Sequence, residues 1–283
     1  MLTAERLHEY VERLQGLAER LQRQAHQPIP PGLVSVWMAG AHVGNTTSDI
    51  ARVLARPPSG FTLLDDALLL QDDDLEAAER TELLAEAALR LREAGLLTGW
   101  RDEALAIHAR RGDAAIAAIE RAACRPLGIR TEAVHLNAFA DDEILVVARR
   151  AAGKQIDPGL WDNLVGGMVP AGESLEQALA REAWEEAGIE TARLAIRPGR
   201  RLHVRRPVAE GLQSEIIHIY DAELPADLPL QNRDGEVEAI KQCPLPEVIA
   251  AIERDEFTLE SALVTLDALA RRAGIATPAG LFY

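Results

Sequence analysis

The chain has 283 residues, a formal net charge of −15, 48% hydrophobic residues and 27% charged ones. This is the composition of a globular protein that can bury a core, long enough for one large domain or two ordinary ones, and no stretch approaches the roughly 18 consecutive apolar residues that span a bilayer. So large an acidic excess argues against nucleic acid or an anionic membrane as the main partner, since both need a basic surface. It leaves room for a small anionic substrate wherever metal ions or a local basic patch reverse the field.

The first segment, MLTAERLHEYVERLQ, mixes acids and bases on a helical pattern and reads as neither a signal nor a transit peptide. Leu2, Leu7, Tyr10, Val11, Leu14, Leu17 and Leu21 recur at three- and four-residue steps, an amphipathic stripe that must be buried in its own domain or against a second subunit. Gln27 to Gly32, rich in proline, ends it. A short apolar run follows at 33–39, then predicted helices near 47–55 and 75–94, the latter closed by Gly95 as a C′ residue. Trp100-Arg101-Asp102-Glu103 precedes an apolar run at 104–107, and Asp113 to Cys124 reads as one more helix. Cys124 and Cys243 are the only cysteines, too few for a disulfide framework or a thiolate metal site, so a reducing cytoplasm is the expected compartment.

From about residue 130 the pattern changes. Residues 133–139 and 144–148 read as strands around a turn at Asp141-Asp142. Further strands are expected at 214–220 and 237–242, with helices near 175–187, 246–254 and 258–272. The boundary falls near 125–130. A mostly helical α+β N-terminal domain (1–127) precedes a mixed α/β domain (128–283).

Residues 166–189, GGMVPAGESLEQALAREAWEEAGI, carry the chemistry. Ser174 with Gln177 three residues later forms a capping box, and Gly188 suits a left-handed helix end, giving a helix over 175–187. At about 100° per residue, Leu175, Ala178, Leu179 and Ile189 share a side with Glu182, Glu185 and Glu186, while Trp184 points the opposite way. A solvated acidic helix would place its glutamates opposite the leucines. Partly buried like charges one turn apart are costly unless paired, and Arg181 can neutralise one at most. A divalent cation, hard and oxygen-seeking, answers the rest.

The spacing Gly167-x5-Glu173-x7-Arg181-Glu182-Ala183-x-Glu185-Glu186-x-Gly188-Ile189 resembles the Nudix box at every defined position. Seven fixed identities at about 6% each make a chance match roughly one in a million over such a chain. The resemblance implies an α/β/α sandwich with a mixed sheet and hydrolysis of a diphosphate bond with Mg²⁺ or Mn²⁺. Carried over by position, Glu182, Glu185 and Glu186 hold the metals, joined by the Gly167 carbonyl, and Arg181 pairs with Glu173 to brace the loop. The general base is then a box glutamate, Glu182 above all, or one from a later loop, Glu236 or Glu238. A narrower likeness, through His135-Leu136-Asn137, Ala148-Arg149-Arg150, Trp161 to Gly167, Pro170 to Ser174 and Asp234 to Glu238, is to a subgroup related to the Nudix domain of fungal thiamine pyrophosphokinase. In that subgroup an additional N-terminal domain precedes the Nudix domain, and Trp100 to Glu103 is similar to a stretch of it. With no kinase-like segment following, hydrolysis is implied, with thiamine diphosphate or its oxidised derivatives as substrate. Oxidised nucleotides of the 8-oxo-dGDP type and ADP-ribose are the alternatives, and a non-catalytic Nudix ligand sensor is a third. Isopentenyl diphosphate isomerase shares the fold, but its catalysis needs a cysteine in the strand before the box, where this chain has Asn163-Leu164-Val165-Gly166-Gly167.

For the substrate's anion, Arg149, Arg150 and Lys154 follow a strand and precede the box. Arg197, Arg200, Arg201, Arg205 and Arg206 lie within ten residues, with His203 among them. They form either a solvated hairpin or, with Arg201 as its representative, a phosphate-binding set suited to bidentate Arg geometry. Trp161 is either a stacking surface or a core residue. A homodimer is expected, with the N-terminal domain flanking the substrate.

Overall fold

The computed structural model describes residues 4–71, 74–110 and 112–274, with side chains from residue 13 onward. In chain order the elements are α1 (Ala4–Ala25), β1 (Val34–Met38), β2 (Ala41–Thr46), α2 (Ser48–Leu54), β3 (Phe61–Leu64), β4 (Ala67–Leu70), α3 (Ala77–Glu93), β5 (Ala104–His108), β6 (Ala115–Glu120) and α4 (Arg121–Cys124). There follow β7 (Thr131–Asp141), β8 (Ile144–Arg150), β9 (Trp161–Asn163), β10 (Val165–Met168), α5 (Leu175–Ala187), β11 (Arg197–Val208), β12 (Gly211–Glu223), β13 (Val237–Pro244), α6 (Leu245–Glu253) and α7 (Leu259–Ala273). None of the described helices is long and apolar enough to cross a membrane.

The C-terminal sheet runs β11-β12-β7-β8-β13 and is mixed, with β12 parallel to β7 and the other pairs antiparallel. Side chains alternate across it, as the two-residue period of a strand requires. From β7, Val134, Leu136 and Ala138 pack with Ala178, Leu179, Ala183 and Ala187 of α5. Ala133 and Phe139 face α6 and α7 on the other side. This is the expected α/β/α sandwich. β7 and β8 pair only near their turn, at Ala138↔Val146 and Phe139↔Leu145, and then splay. Residues 161–168 fill the gap, with β9 on β8 and β10 on β7.

The N-terminal region holds more sheet than the sequence suggests. A four-stranded sheet, β2-β1-β4-β3, and a β5-β6 hairpin share one core with α2 and α3. Asp113 to Cys124 is not one helix, because only Arg121–Cys124 is helical. Alanine favours helix intrinsically, but Ala117 and Ile119 alternate into the core while the stretch pairs with β5, from Ala104↔Glu120 to His108↔Ala115. Tertiary pairing overrides propensity here.

The stripe of α1 finds its cover elsewhere than expected. Leu14, Leu17, Leu21 and Ala25 are buried in the cluster built from α6, α7 and the C-terminal sheet, neither in the N-terminal module nor against a second subunit. Arg13 bonds Glu253 (2.7 Å) and Arg20 bonds the Ile252 carbonyl (2.9 Å), tying the same helix to the end of α6. The argument for a dimer from this stripe therefore lapses over residues 14–25. Leu7, Tyr10 and Val11 lie outside the described side chains, and Leu2 outside the described residues.

Candidate active site

Strand β10 brings Gly166 and Gly167 to the middle of the splayed sheet, opposite His135 and Val134. The loop after it leads to α5, which begins as the sequence requires. The Gln177 amide donates to Ser174 Oγ (3.2 Å) while Gln177 Oε1 accepts from the Ser174 amide (2.8 Å), and Gly188 closes the helix at φ 68°. The side chain of Trp184 is exposed under the Arg233 guanidinium, and Glu182 and Glu186 turn inward while Glu185 stays partly exposed.

Glu182 and Glu186 sit against the glycines. A Cβ on residue 167 would fall 2.0 Å from the Glu182 carboxyl carbon, so only glycine leaves room for that carboxylate. Glu186 is 6% exposed and accepts from the Gly166 amide (2.8 Å). Arg181 is the brace: Nε donates to Glu173 (3.1 Å), Nη1 to Glu182 (2.8 Å) and Glu185 (3.1 Å), and Nη2 to the Met168 carbonyl (3.2 Å). Burial opposes its charge, but Glu182 and Glu173 outweigh that and hold it firmly protonated. Burial pushes the Glu182 carboxyl above the ordinary range, against the pull of Arg181. Glu186 is pushed up further, by burial first and then by the charge of Glu182, despite the Gly166 amide.

Lys154 and Glu236 complete this wall. They form a direct ion pair, and the ammonium charge of Lys154 reaches Glu186 as well. Burial works against the charge of Glu236, but Lys154, and behind it Arg101 and Arg121, hold its carboxyl below the ordinary range.

Those two arginines come from the N-terminal module, which is stitched to the box. The Ala171 amide donates to the Ala104 carbonyl (2.8 Å), Leu105 bridges Pro170, and Met168 packs into the N-terminal core. The Arg101 amide donates to Glu120 (3.0 Å), and Arg121 pairs with Glu103 (2.7 Å). Among the described residues no hydrogen bond or ion pair engages the Arg101 guanidinium. Between module and sheet lies a cleft of about 820 Å³, bordered by Arg101, Arg121, Arg125, Leu105, Met168 and Glu215.

Comparison with known proteins bears on this geometry directly. The family model for the NUDIX domain matches residues 129–263. A model described as a domain of unknown function (DUF4743) matches residues 14–131. The chain is 30% identical over 231 residues to Nudix hydrolase 20, chloroplastic, of Arabidopsis thaliana, covering 76% of this chain and 58% of that protein. Residues 129–263 of the chain form a Nudix domain.

It spans a little over half the length of its Arabidopsis relatives, 58% and 54%. The Nudix domain is also similar to an isopentenyl-diphosphate Delta-isomerase of Cereibacter sphaeroides, at 30% identity over 52% of this chain and 82% of that one. Among solved structures, a Deinococcus radiodurans protein, DR0079, matches 58% of this chain and 99% of its own at 22% identity, with a TM-score of 0.46.

The Nudix box residues named from sequence, Gly167, Glu173, Arg181, Glu182, Glu185 and Glu186, stand together, and Lys154 and Glu236 join them. Glu238 is exposed on β13. Arg149 is turned to the Gly159 carbonyl (3.1 Å), and Arg150 to Asp162 (3.0 Å) and the Ile156 carbonyl (2.9 Å), so both brace the loop before the box. Arg201 stands on the edge strand β11 opposite His218. Arg101, Arg121 and Glu215 have no counterpart in the reading of the sequence. Trp100 to Glu103 marked the segment of the first, but nothing local marked the other two.

The donor set of the Nudix box suits a hard divalent cation. Glu182 and Glu186 are desolvated carboxylates, and the charge of Glu182 adds to the cost of ionising Glu186, which a shared cation removes. Among the described residues no three Asp, Glu, His or Cys side chains converge on one point. Arg181 holds Glu182 and Glu185, and the Gly166 amide holds Glu186. Two carboxylates are enough for Mg²⁺, which keeps several of its waters.

Proposed function

We propose that the chain hydrolyses a diphosphate bond in a small organic diphosphate with Mg²⁺ or Mn²⁺. The observation that carries this reading is the pair of half-buried Glu182 and buried Glu186, set against Gly166 and Gly167 and braced by Arg181. Glu182, Glu185 and Glu186, with the Gly167 carbonyl, would hold the ion, which when bound neutralises diphosphate charge and acidifies water. Glu236 takes the water's proton, a role supported by its ion pair with Lys154, whose charge also reaches Glu186. Glu238, exposed and without a described ion pair, is the weaker choice, and Glu182 is the base if neither serves. Arg101 and Arg121 meet the diphosphate, which is how a protein of net charge −15 admits an anion.

Thiamine diphosphate or an oxidised derivative is the best substrate assignment, resting on the motifs His135 to Asn137, Trp161 to Gly167 and Asp234 to Glu238. The likeness to isopentenyl-diphosphate isomerases favours a second reading, but neither thiol lies in the strand before the box, although Cys124 borders the cleft. Cys124 meets the Glu120 carbonyl (3.9 Å), and burial pushes its thiol up to about 12. Cys243 meets Glu247 (3.7 Å) on β13. Incubating the purified chain with a panel of diphosphates and Mg²⁺ should release phosphate fastest from thiamine diphosphate or its oxidised forms. A tenfold preference for ADP-ribose or 8-oxo-dGDP would replace the substrate assignment, and isomerisation of isopentenyl diphosphate without phosphate release would replace the reaction.

A further inference from the structure

Away from the glycines, on the same cleft, β12 presents Glu215. Its side chain is 8% exposed, yet it receives one hydrogen bond among the described residues, a long one from Thr131 Oγ1 (3.4 Å). That hydroxyl has a single proton and lies equally far from the Ser214 carbonyl (3.4 Å). Burial and then Glu260 push the Glu215 carboxyl up, while Arg125, His135 and Arg121 favour its charge. A desolvated carboxylate with so little hydrogen bonding is costly. In a core it would be replaced or fully paired. Here it borders a cleft large enough for a drug-sized molecule, whose lining includes Leu105, Ile129, Ile156 and Met168.

An ionised carboxylate only accepts hydrogen bonds and repels phosphate. The cleft therefore offers contacts of both kinds. Arg101 and Arg121 lend their charge to Glu236 and suit an anion, while Glu215, which the charges of Arg125 and Arg121 also reach, suits a donor or a cation, and the apolar lining suits a flat ring. We infer that Glu215 is the specificity-determining residue of this site and receives a cationic or N–H-donating heterocycle carried by the diphosphate. The assignment of the anionic end rests on the diphosphatase reading above; the assignment of Glu215 rests on the cleft.

The test separates the two. Calorimetric titration of the full chain with thiamine, a cation bearing an amine and no phosphate, and with adenosine, a neutral N–H donor, should show binding of at least one. Glu215→Gln should weaken it about 10- to 100-fold, and Glu215→Asp, which keeps the charge and withdraws it by a methylene, by less. In turnover, Glu215→Gln should shift the ratio of kcat/KM for thiamine diphosphate over isopentenyl diphosphate toward the latter by tenfold or more. Glu215-dependent binding without turnover of any diphosphate would sink the diphosphatase reading and leave this one standing. Absence of binding of both probes, or equal binding by wild type and both variants, would overturn it.

Discussion

The molecule has two sets of arginines, and they differ in what surrounds them. The first lies on β11, dense in sequence. Arg197 pairs with Glu223 (3.0 Å), Arg200 with the fully buried Asp267 (2.6 Å), and Arg206 with Gln213 (2.9 Å) and Glu260 (3.7 Å). The second, Arg101 and Arg121, is sparse, twenty positions apart and outside the Nudix domain, yet it is the set whose charge reaches Glu236. Local density of a charge type reports how much pairing a surface strand needs. The field at a site is assembled by the fold.

Three experiments break or sharpen that contrast. The largest effect belongs to the carboxylates both sets could serve. Glu186→Gln should lower kcat about 10²-fold or more, and the same variant in EDTA should melt higher than wild type at neutral pH. The sign follows from a folded pKa raised above the unfolded one. Ionisation of Glu186 subtracts stability as pH rises above the ordinary carboxylate range, so the variant's advantage should vanish in acid. An advantage that persists at low pH would show that packing, not charge, is responsible. Next, Arg101→Ala and Arg121→Ala should each raise KM about tenfold or more, while Arg197→Ala and Arg201→Ala stay within about twofold of wild type. The reverse ranking would place the substrate on the hairpin. The smallest effect is structural: Arg200→Ala should cost about 1–3 kcal/mol in urea unfolding, since among the described residues Asp267 would keep only its pair with Arg271, with kcat/KM nearly unchanged.

The box was legible because its chemistry is local. A capped helix, two glycines and three glutamates fix one another within twenty-four residues, and the wheel alone put the carboxylates on the buried side. Lys154 and Glu236 could be named but not joined, since 82 positions separate them. Arg121 was hidden by its context, an alanine-rich stretch that reads as one helix and folds as a strand followed by the four-residue helix α4. Glu215 was hidden in a strand whose pattern promised only alternation. The strands of 41–46 and 61–70 escaped because they are short and their partners supply the order. The stripe of α1 was right in period and silent on destination.

That destination has a mechanical consequence. Helix α1 precedes the N-terminal module and β7 follows it, and both belong to the C-terminal core. The module is thus an insert mounted at both ends, with the Ala104–Ala171 hydrogen bond as a third fixing point beside the catalytic loop. A body held at three points does not swing as a flap on one hinge. On the proposed function, substrate would enter a slot whose jaws are preset, with discrimination by shape and charge at rest instead of by closure, and a cut near residue 127 would strip a helix from the core it means to isolate.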